Sequence, residues 1–329
     1  MRYEAIEHRD GPLRRTWVEA PPLRPGEVRV EVVASGVNRA DLMQRAGAYP
    51  APPGASPILG LEAAGVVTET GPGVVDRQPG DRVAALLSGG GYARQVVVPA
   101  AHTVRLPEGV SFAEGAAFIE VFATAWLNLA REAGLAERAP GASVLLHAGG
   151  SGVGTAAIQV CGLLGHRVFI TAGGADKVER CVALGAEAGW NRHDGPWAPS
   201  VAAWRPGGVD AILDPVGGSY FADNLGALAP DGALVLIGLL GGRMAEIDLG
   251  RLLIKRLRVV GSTLRSRSDA AKAALIAELA ARVVPAWGPR LRPVVDRVFP
   301  VDAVEDAHRH MSGNLGFGCL VLDWGGAEG

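Results

Sequence analysis

Between the apolar runs Val144–Leu146 and Ala156–Ile158 lies His147-Ala148-Gly149-Gly150-Ser151-Gly152-Val153-Gly154. Glycines let backbone amides come close to a phosphate, and a helix beginning behind them adds positive potential. The pattern therefore suits a dinucleotide pyrophosphate. No register of a strict G-x-G-x-x-G fits, and taken alone the loop could be a tight strand-to-helix turn that binds nothing. The strand before it, the helix after it and the strand–helix alternation downstream favour a dinucleotide, with Gly150, Ser151, Gly152 and Val153 at the phosphates.

In such folds the second strand ends in an acid that accepts the ribose hydroxyls of NAD. Here the segment Arg167–Thr171 runs into Ala172-Gly173-Gly174 without one, and Asp176 reads as a helix-start residue. Lys177, one of three lysines in the chain, and Arg192 are the nearby cations. Together they suit a 2′-phosphate and so NADPH; the bland alternative is two solvated surface charges.

The elements that must position these residues fall into three parts. The first third reads as β: Val28, Val30 and Val32 alternate with Arg29 and Glu31, and short β-rich runs follow at Gly65–Glu69, Asp81–Leu86 and Tyr92–Val98. Gly71-Pro72-Gly73 and Pro79-Gly80 punctuate them as turns. Ser111-Phe112-Ala113-Glu114 fits a capping box and predicts a helical stretch to about Gly134. Beyond it strands at 144–148, 167–171, 210–214 and 233–237 alternate with helices, which implies a parallel sheet with right-handed crossovers. A strand Arg258–Leu264, a helix from Ser268 to about Val284, a strand near Val294–Phe299 and a closing helix and strand complete the chain. That tail is too short for its own core, so it is expected to return to the first domain.

The chain has 329 residues and a formal net charge of −2, enough for two domains and without a bulk field for nucleic acid or an anionic membrane. The charged N-terminal residues do not form a secretory signal, and no apolar run is long enough to span a bilayer. Cys161, Cys181 and Cys319 are dispersed and odd in number, which fits a reducing compartment; a cytoplasmic protein is expected. His308 and His310, two apart on a predicted helix, face different sides and are expected to be surface groups.

Asn38-Arg39-Ala40-Asp41-Leu42-Met43-Gln44-Arg45, Pro53-Gly54-Ala55-Ser56, Ile58-Leu59-Gly60-Leu61-Glu62, Ser151-Gly152-Val153-Gly154-Thr155-Ala156-Ala157-Ile158-Gln159, Gly217-Gly218-Ser219-Tyr220 and Leu264-Arg265-Ser266-Arg267 run nearly end to end. With these segments the chain resembles the zinc-free quinone oxidoreductase branch of the medium-chain dehydrogenase/reductase superfamily, above all its tumour-suppressor-inducible members. The resemblance implies an α/β architecture: a GroES-like β-rich catalytic domain over residues 1–118 with a return over 266–329, and a Rossmann NADPH-binding domain over 119–265. It implies a cofactor between the domains and a homodimer through Rossmann edge strands, for which Arg258–Leu264 is the candidate. Ribose-phosphate contacts would fall on Gly173, Lys177 and Arg192, and nicotinamide-side contacts on Asn38, Thr124, Gly238, Leu239 and Leu264. Arg265 and Arg267 would either reach a cofactor phosphate or support the hinge. Cys319 stands where relatives carry lysine.

Zinc alcohol dehydrogenases of the superfamily place cysteine at the position of Asn38 and Gly-His-Glu at that of Gly60-Leu61-Glu62. Leucine ligates no zinc, so a metal-free reduction of an acceptor that is electrophilic unaided is expected, a quinone first and an enone or enoyl thioester second. A third expectation, from another class, is an NADPH-binding structural or RNA-binding protein of the crystallin kind, against which the near-neutral charge counts. Tyr49 is either a proton or hydrogen-bond donor to the substrate or a packing residue. Asn38 suits orientation of a carbonyl or water, capping of the next helix, or both. Glu62 is expected to be structural.

Overall fold

The computed structural model describes residues 2–8, 11–288 and 290–325. The chain packs as two compact units, Met1–Ala123 with Arg265–Gly329, and Thr124–Leu264. The first passage lies inside the helix Ile119–Trp126, not after residue 118, and the second directly precedes Arg265.

In the first unit β1 (Arg2–Glu7) and β2 (Arg14–Glu19) form a hairpin. The alternating valines make β3 (Glu27–Val37), with Val28, Val30 and Val32 buried. β3 pairs antiparallel with β4 (Glu62–Thr70), and β4 with β5 (Arg82–Leu86). β6 (Gln95–Pro99) returns to β3, and β7 (Thr103–Arg105) lies beside β5. The core between these strands is built of valines and leucines with Tyr92, Phe299 and Trp324.

The second unit holds β8 (Ser143–Leu146), β9 (Arg167–Ala172), β10 (Ala188–Asn191), β11 (Val209–Asp214), β12 (Leu228–Leu236) and β13 (Arg258–Gly261). Every pairing is parallel, in the order β10-β9-β8-β11-β12-β13. Counted from β8 that is 3-2-1-4-5-6, the Rossmann order, whose switch point falls between β8 and β11. The chain then returns to the first sheet. β14 (Val295–Pro300) runs parallel to β15 (Cys319–Asp323), which pairs antiparallel with β3, Leu320 opposite Val37. Trp324 fastens this end, its indole N–H donating to Ser35 Oγ at 2.9 Å.

The details depart from the expectations at four places. The helical stretch after Ser111 is broken into Phe112–Ala116, Ile119–Trp126 and a wider turn at Leu127–Glu132. There the Asn128 side chain occupies the Thr124 carbonyl at 2.7 Å. β12 begins at Leu228, earlier than expected, and β13 ends at Gly261 short of Leu264. His308 is buried, not a surface group. Residues two apart face opposite sides, and His308 is on the inner one, its Nε2 3.1 Å from Tyr92 Oη, while His310 bonds Asp296 at 3.0 Å. No helix among the described residues is long and apolar enough to cross a membrane.

Candidate active site

The glycine loop follows β8 at the switch point. Helix Gly152–Leu163 starts there because Ser151 caps it, its Oγ accepting the Gly154 N–H at 3.0 Å. A β-carbon on Gly154 would stand 2.4 Å from the Ala148 carbonyl oxygen, so the loop closes only around a glycine. Ala148 itself has φ +56°, a conformation unusual for a residue with a side chain. It is held on both flanks by Thr171 of β9, whose carbonyl accepts Gly149 N–H at 2.9 Å while its hydroxyl meets His147 Nδ1 at 2.9 Å.

A buried hydrogen-bond chain fixes that imidazole. Asp214, at the end of β11, accepts the backbone N–H of Val216 at 2.6 Å and of Gly217, and the Asn224 amide nitrogen at 2.9 Å. Asn224 Oδ1 then takes His147 Nε2–H at 2.8 Å. A carboxylate only accepts, so the Asn224 nitrogen faces Asp214 and its oxygen faces His147. That leaves His147 Nδ1 bare to accept the Thr171 O–H. Burial lowers the His147 pKa to about 4, which keeps the ring neutral, and raises that of Asp214 to about 6 against its three donors. Three parallel strand ends are thereby tied together beneath the loop.

Beyond β9 lie the residues expected at the ribose. Arg192 lies over Gly173, whose added β-carbon would meet its Nε at 3.0 Å, and Gly174 N–H donates to Asn191 Oδ1 at 3.0 Å. Lys177 is part-buried on helix Ala175–Ala183. Gly238 follows β12 against Pro215, Leu239 is 53% exposed, and Leu264 is buried after β13. Thr124 lies in the helix Ile119–Trp126.

The first unit carries a separate polar cluster. Asn38 starts helix Arg39–Arg45, with its backbone N–H on Asp41 Oδ2 at 2.8 Å. Its side-chain Nδ2 donates to Glu62 Oε1 at 2.7 Å, and Glu62 Oε2 accepts Glu120 N–H at 3.0 Å. The turn that brings Glu62 inward is held by the Gly60 N–H, which donates to Asp41 Oδ1 at 3.0 Å. Burial raises Glu62 to about 8 and Asp41 to about 6, each opposed by the hydrogen bonds just named. Glu120 is pushed well above the carboxylate range by burial, then by Glu62 and Asp41.

Arg265 is engaged within the first unit. Its guanidinium bonds Gln44 Oε1 at 2.6 Å, Ser88 O at 2.9 Å and Tyr49 O at 3.3 Å, and sits 5.3 Å from the Tyr49 ring centre. It supports the Tyr49 loop. Arg267 is part-buried in the turn before helix Asp269–Arg282. Burial raises the Tyr49 pKa, with the Glu120 charge adding to it, so the phenol is protonated at neutral pH.

Glu120 and the His147–Asn224–Asp214 chain escaped the sequence reading. A lone acid in Phe118-Ile119-Glu120-Val121-Phe122 was the available signal for the first. The second joins residues 77 apart in sequence, which no local pattern reveals.

The donor set does not fit zinc. Leu61, 2% exposed, offers no ligand, the Asn38 amide is taken by Glu62, and the three cysteines are separately buried. Among the described residues no three His, Cys, Asp or Glu side chains group to hold a metal. The glycine loop, the capped helix start and the Arg192–Gly173 pair do fit a nicotinamide dinucleotide.

Residues 24–108 match the alcohol dehydrogenase GroES-like domain and residues 152–280 the zinc-binding dehydrogenase domain. The human synaptic vesicle membrane protein VAT-1 homolog is 31% identical over 92% of this chain and 80% of its own length. Bovine quinone oxidoreductase-like protein 2 is 30% identical over 94% of this chain and 89% of its own. Among solved structures, the quinone oxidoreductase from Thermus thermophilus, solved also in complex with NADPH, superposes with a TM-score of 0.81. It shares 36% identity and covers 98% of this chain and all of the other.

Proposed function

Because the chain belongs to the quinone oxidoreductase branch of the medium-chain dehydrogenase/reductase superfamily, and is an oxidoreductase with a nicotinamide cofactor, we propose that it reduces quinones with NADPH and without a metal. The observation that carries the reading is in the first unit: Asn38, its amide held by Glu62, stands where zinc alcohol dehydrogenases place a cysteine, and Leu61, where they place a histidine, supplies no ligand.

NADPH, when bound, supplies the hydride from nicotinamide C4. Gly150, Ser151, Gly152 and Val153 would hold its pyrophosphate at the helix start, and Gly173, Lys177 and Arg192 would hold its 2′-phosphate. Asn38 and Tyr49 orient the acceptor oxygen, and their main contribution is positioning, which brings reacting atoms to within about 3–3.5 Å. The Tyr49 hydroxyl hydrogen-bonds that oxygen as charge builds on it, while product oxygens take protons from water. A quinone accepts hydride without Lewis-acid help, which suits a site lacking zinc ligands.

The edge strand β13 completes the reading. It exposes Val259, and the adjoining helix Leu249–Ile254 exposes Leu249, Leu253 and Ile254, an apolar margin that a second copy would cover in a homodimer.

The test is steady-state NADPH oxidation with ortho-quinones, para-quinones and enones, run beside elemental analysis. Turnover with quinones in metal-free protein is expected. Turnover confined to enones or enoyl thioesters overturns the acceptor class. Stoichiometric zinc, with activity lost to a chelator and restored by the metal, overturns the metal-free mechanism.

A further inference from the structure

Glu62 is a buried acid without a cation. It is 1% exposed, and its two oxygens take only N–H donors: Asn38 Nδ2 at 2.7 Å on Oε1 and the backbone of Glu120 at 3.0 Å on Oε2. The pocket is closed by Gly36 of β3, where a β-carbon would stand 2.1 Å from Oε1. The titratable groups bearing on it are Asp41 from the helix Arg39–Arg45, Glu120 from the helix Ile119–Trp126, Tyr92 from the loop before β6, and Cys319 of β15. All four are neutral or negative. The cations of the neighbourhood, Arg265 and Lys272, act on Glu120, and Arg265 also on Asp41. No salt bridge reaches Glu62 among the described residues. A carboxyl so placed keeps its proton up to about pH 8.

Resting on the reading that Asn38 meets the acceptor, we propose that Glu62 is a positioning residue whose single proton decides which end of the Asn38 amide is offered to that acceptor. The ionised carboxylate must accept, so it holds Asn38 Nδ2, as in the observed arrangement, and leaves Oδ1 to the substrate. An amide oxygen facing a quinone oxygen gives two acceptors and no bond. The protonated acid donates its O–H to Asn38 Oδ1 once the amide has turned over. Asn38 Nδ2 then points outward as a donor to the oxygen that gains charge during hydride transfer. The Glu120 N–H keeps its acceptor on Oε2 in both states. No proton leaves Glu62 for the substrate; only the amide changes face.

The test uses Glu62→Gln, Asn38→Ala and the double variant in the full chain, with melting curves as a folding control. The Glu62→Gln side chain imitates the protonated state at every pH, its nitrogen donating to Asn38 Oδ1 and its oxygen accepting Glu120 N–H. Wild-type kcat/KM for quinone should fall about tenfold per pH unit above its inflection. In Glu62→Gln that alkaline fall should vanish, and in the Asn38→Ala background Glu62→Gln should add nothing. Two readouts are independent of turnover. The wild-type minus Glu62→Gln infrared difference should contain the carbonyl band of one protonated acid, and that difference band should fade with rising pH. With ¹⁵N-labelled asparagine, the side-chain resonance that Asn38→Ala removes should move with the same midpoint. An alkaline fall that persists in Glu62→Gln, or an Asn38 resonance that stays still while the band fades, overturns the proposal. A wild type that reduces no acceptor at any pH defeats the reading of Asn38 as acceptor ligand. The infrared and NMR titrations then still decide whether the proton turns the amide.

Discussion

Arg192 covers Gly173 so closely that a β-carbon on the glycine would stand 3.0 Å from Nε. The guanidinium lies at the end of β9, where NAD-binding folds place an acid. Arg192→Ala and Lys177→Ala should each weaken NADPH about ten- to a hundredfold and leave NADH nearly unchanged, because a charge-assisted bond to phosphate is worth about 1.5–3 kcal/mol. Added salt should shrink the difference. Fluorescence titration with both cofactors checks this, and equal losses for both would assign the two residues to the fold or the adenine.

Tyr49 keeps its ring against Arg265 whether or not it has a hydroxyl. Tyr49→Phe should therefore lower the rate roughly two- to tenfold, the value of one neutral hydrogen bond of about 0.5–1.5 kcal/mol. Single-turnover kinetics with intact NADPH binding measure it. A loss beyond about a thousandfold would make the phenol an obligatory acid.

His147→Gln breaks the chain from Asp214 to Thr171 and should cost about 1–3 kcal/mol at neutral pH. The folded protein holds His147 unprotonated down to about pH 4, whereas the unfolded chain protonates it near 6.5. The histidine's contribution is complete above pH 6.5 and is lost as pH falls toward 4. The raised carboxylates are common to both proteins and cancel. Denaturant melts at several pH values should show the gap between wild type and variant closing over that window; a constant gap would contradict the neutral, relayed imidazole.

Val259→Lys puts a charge on the exposed margin of β13. If that edge joins two copies, sedimentation should show a shift to monomer with the melting of the single chain nearly unchanged, as edge lysines block strand pairing. An unaltered dimer would move the interface elsewhere.

Much of this was legible because local rules agreed with one another. The glycine loop lay between an apolar strand and a helix start, and Ser151 capped the helix where the pattern placed it. Ser111 and Glu114 formed the capping box that their spacing announced. What escaped was made by distance along the chain. Asn38 and Glu62 are 24 residues apart and meet only because β3 and β4 pair, so Glu62 read as inert structure. The partners of Arg265, namely Gln44, Ser88 and Tyr49, come from the far first part of the sequence, so no local pattern announced them. His308 read as exposed because spacing shows that two residues face apart but not which one faces the core.

The pairing of Val37 with Leu320 gives the protein a schedule. A ribosome adds roughly 5–20 residues per second, so β3 leaves it on the order of 15–60 s before the strand that completes its edge. In that interval all of Thr124–Leu264, whose sheet is paired wholly within itself, has been synthesised. The nucleotide-binding unit can thus mature first, while the segment carrying Asn38, Tyr49 and Glu62 waits with an open strand edge. That edge is sealed only when Trp324 reaches Ser35 and the backbone of Val33.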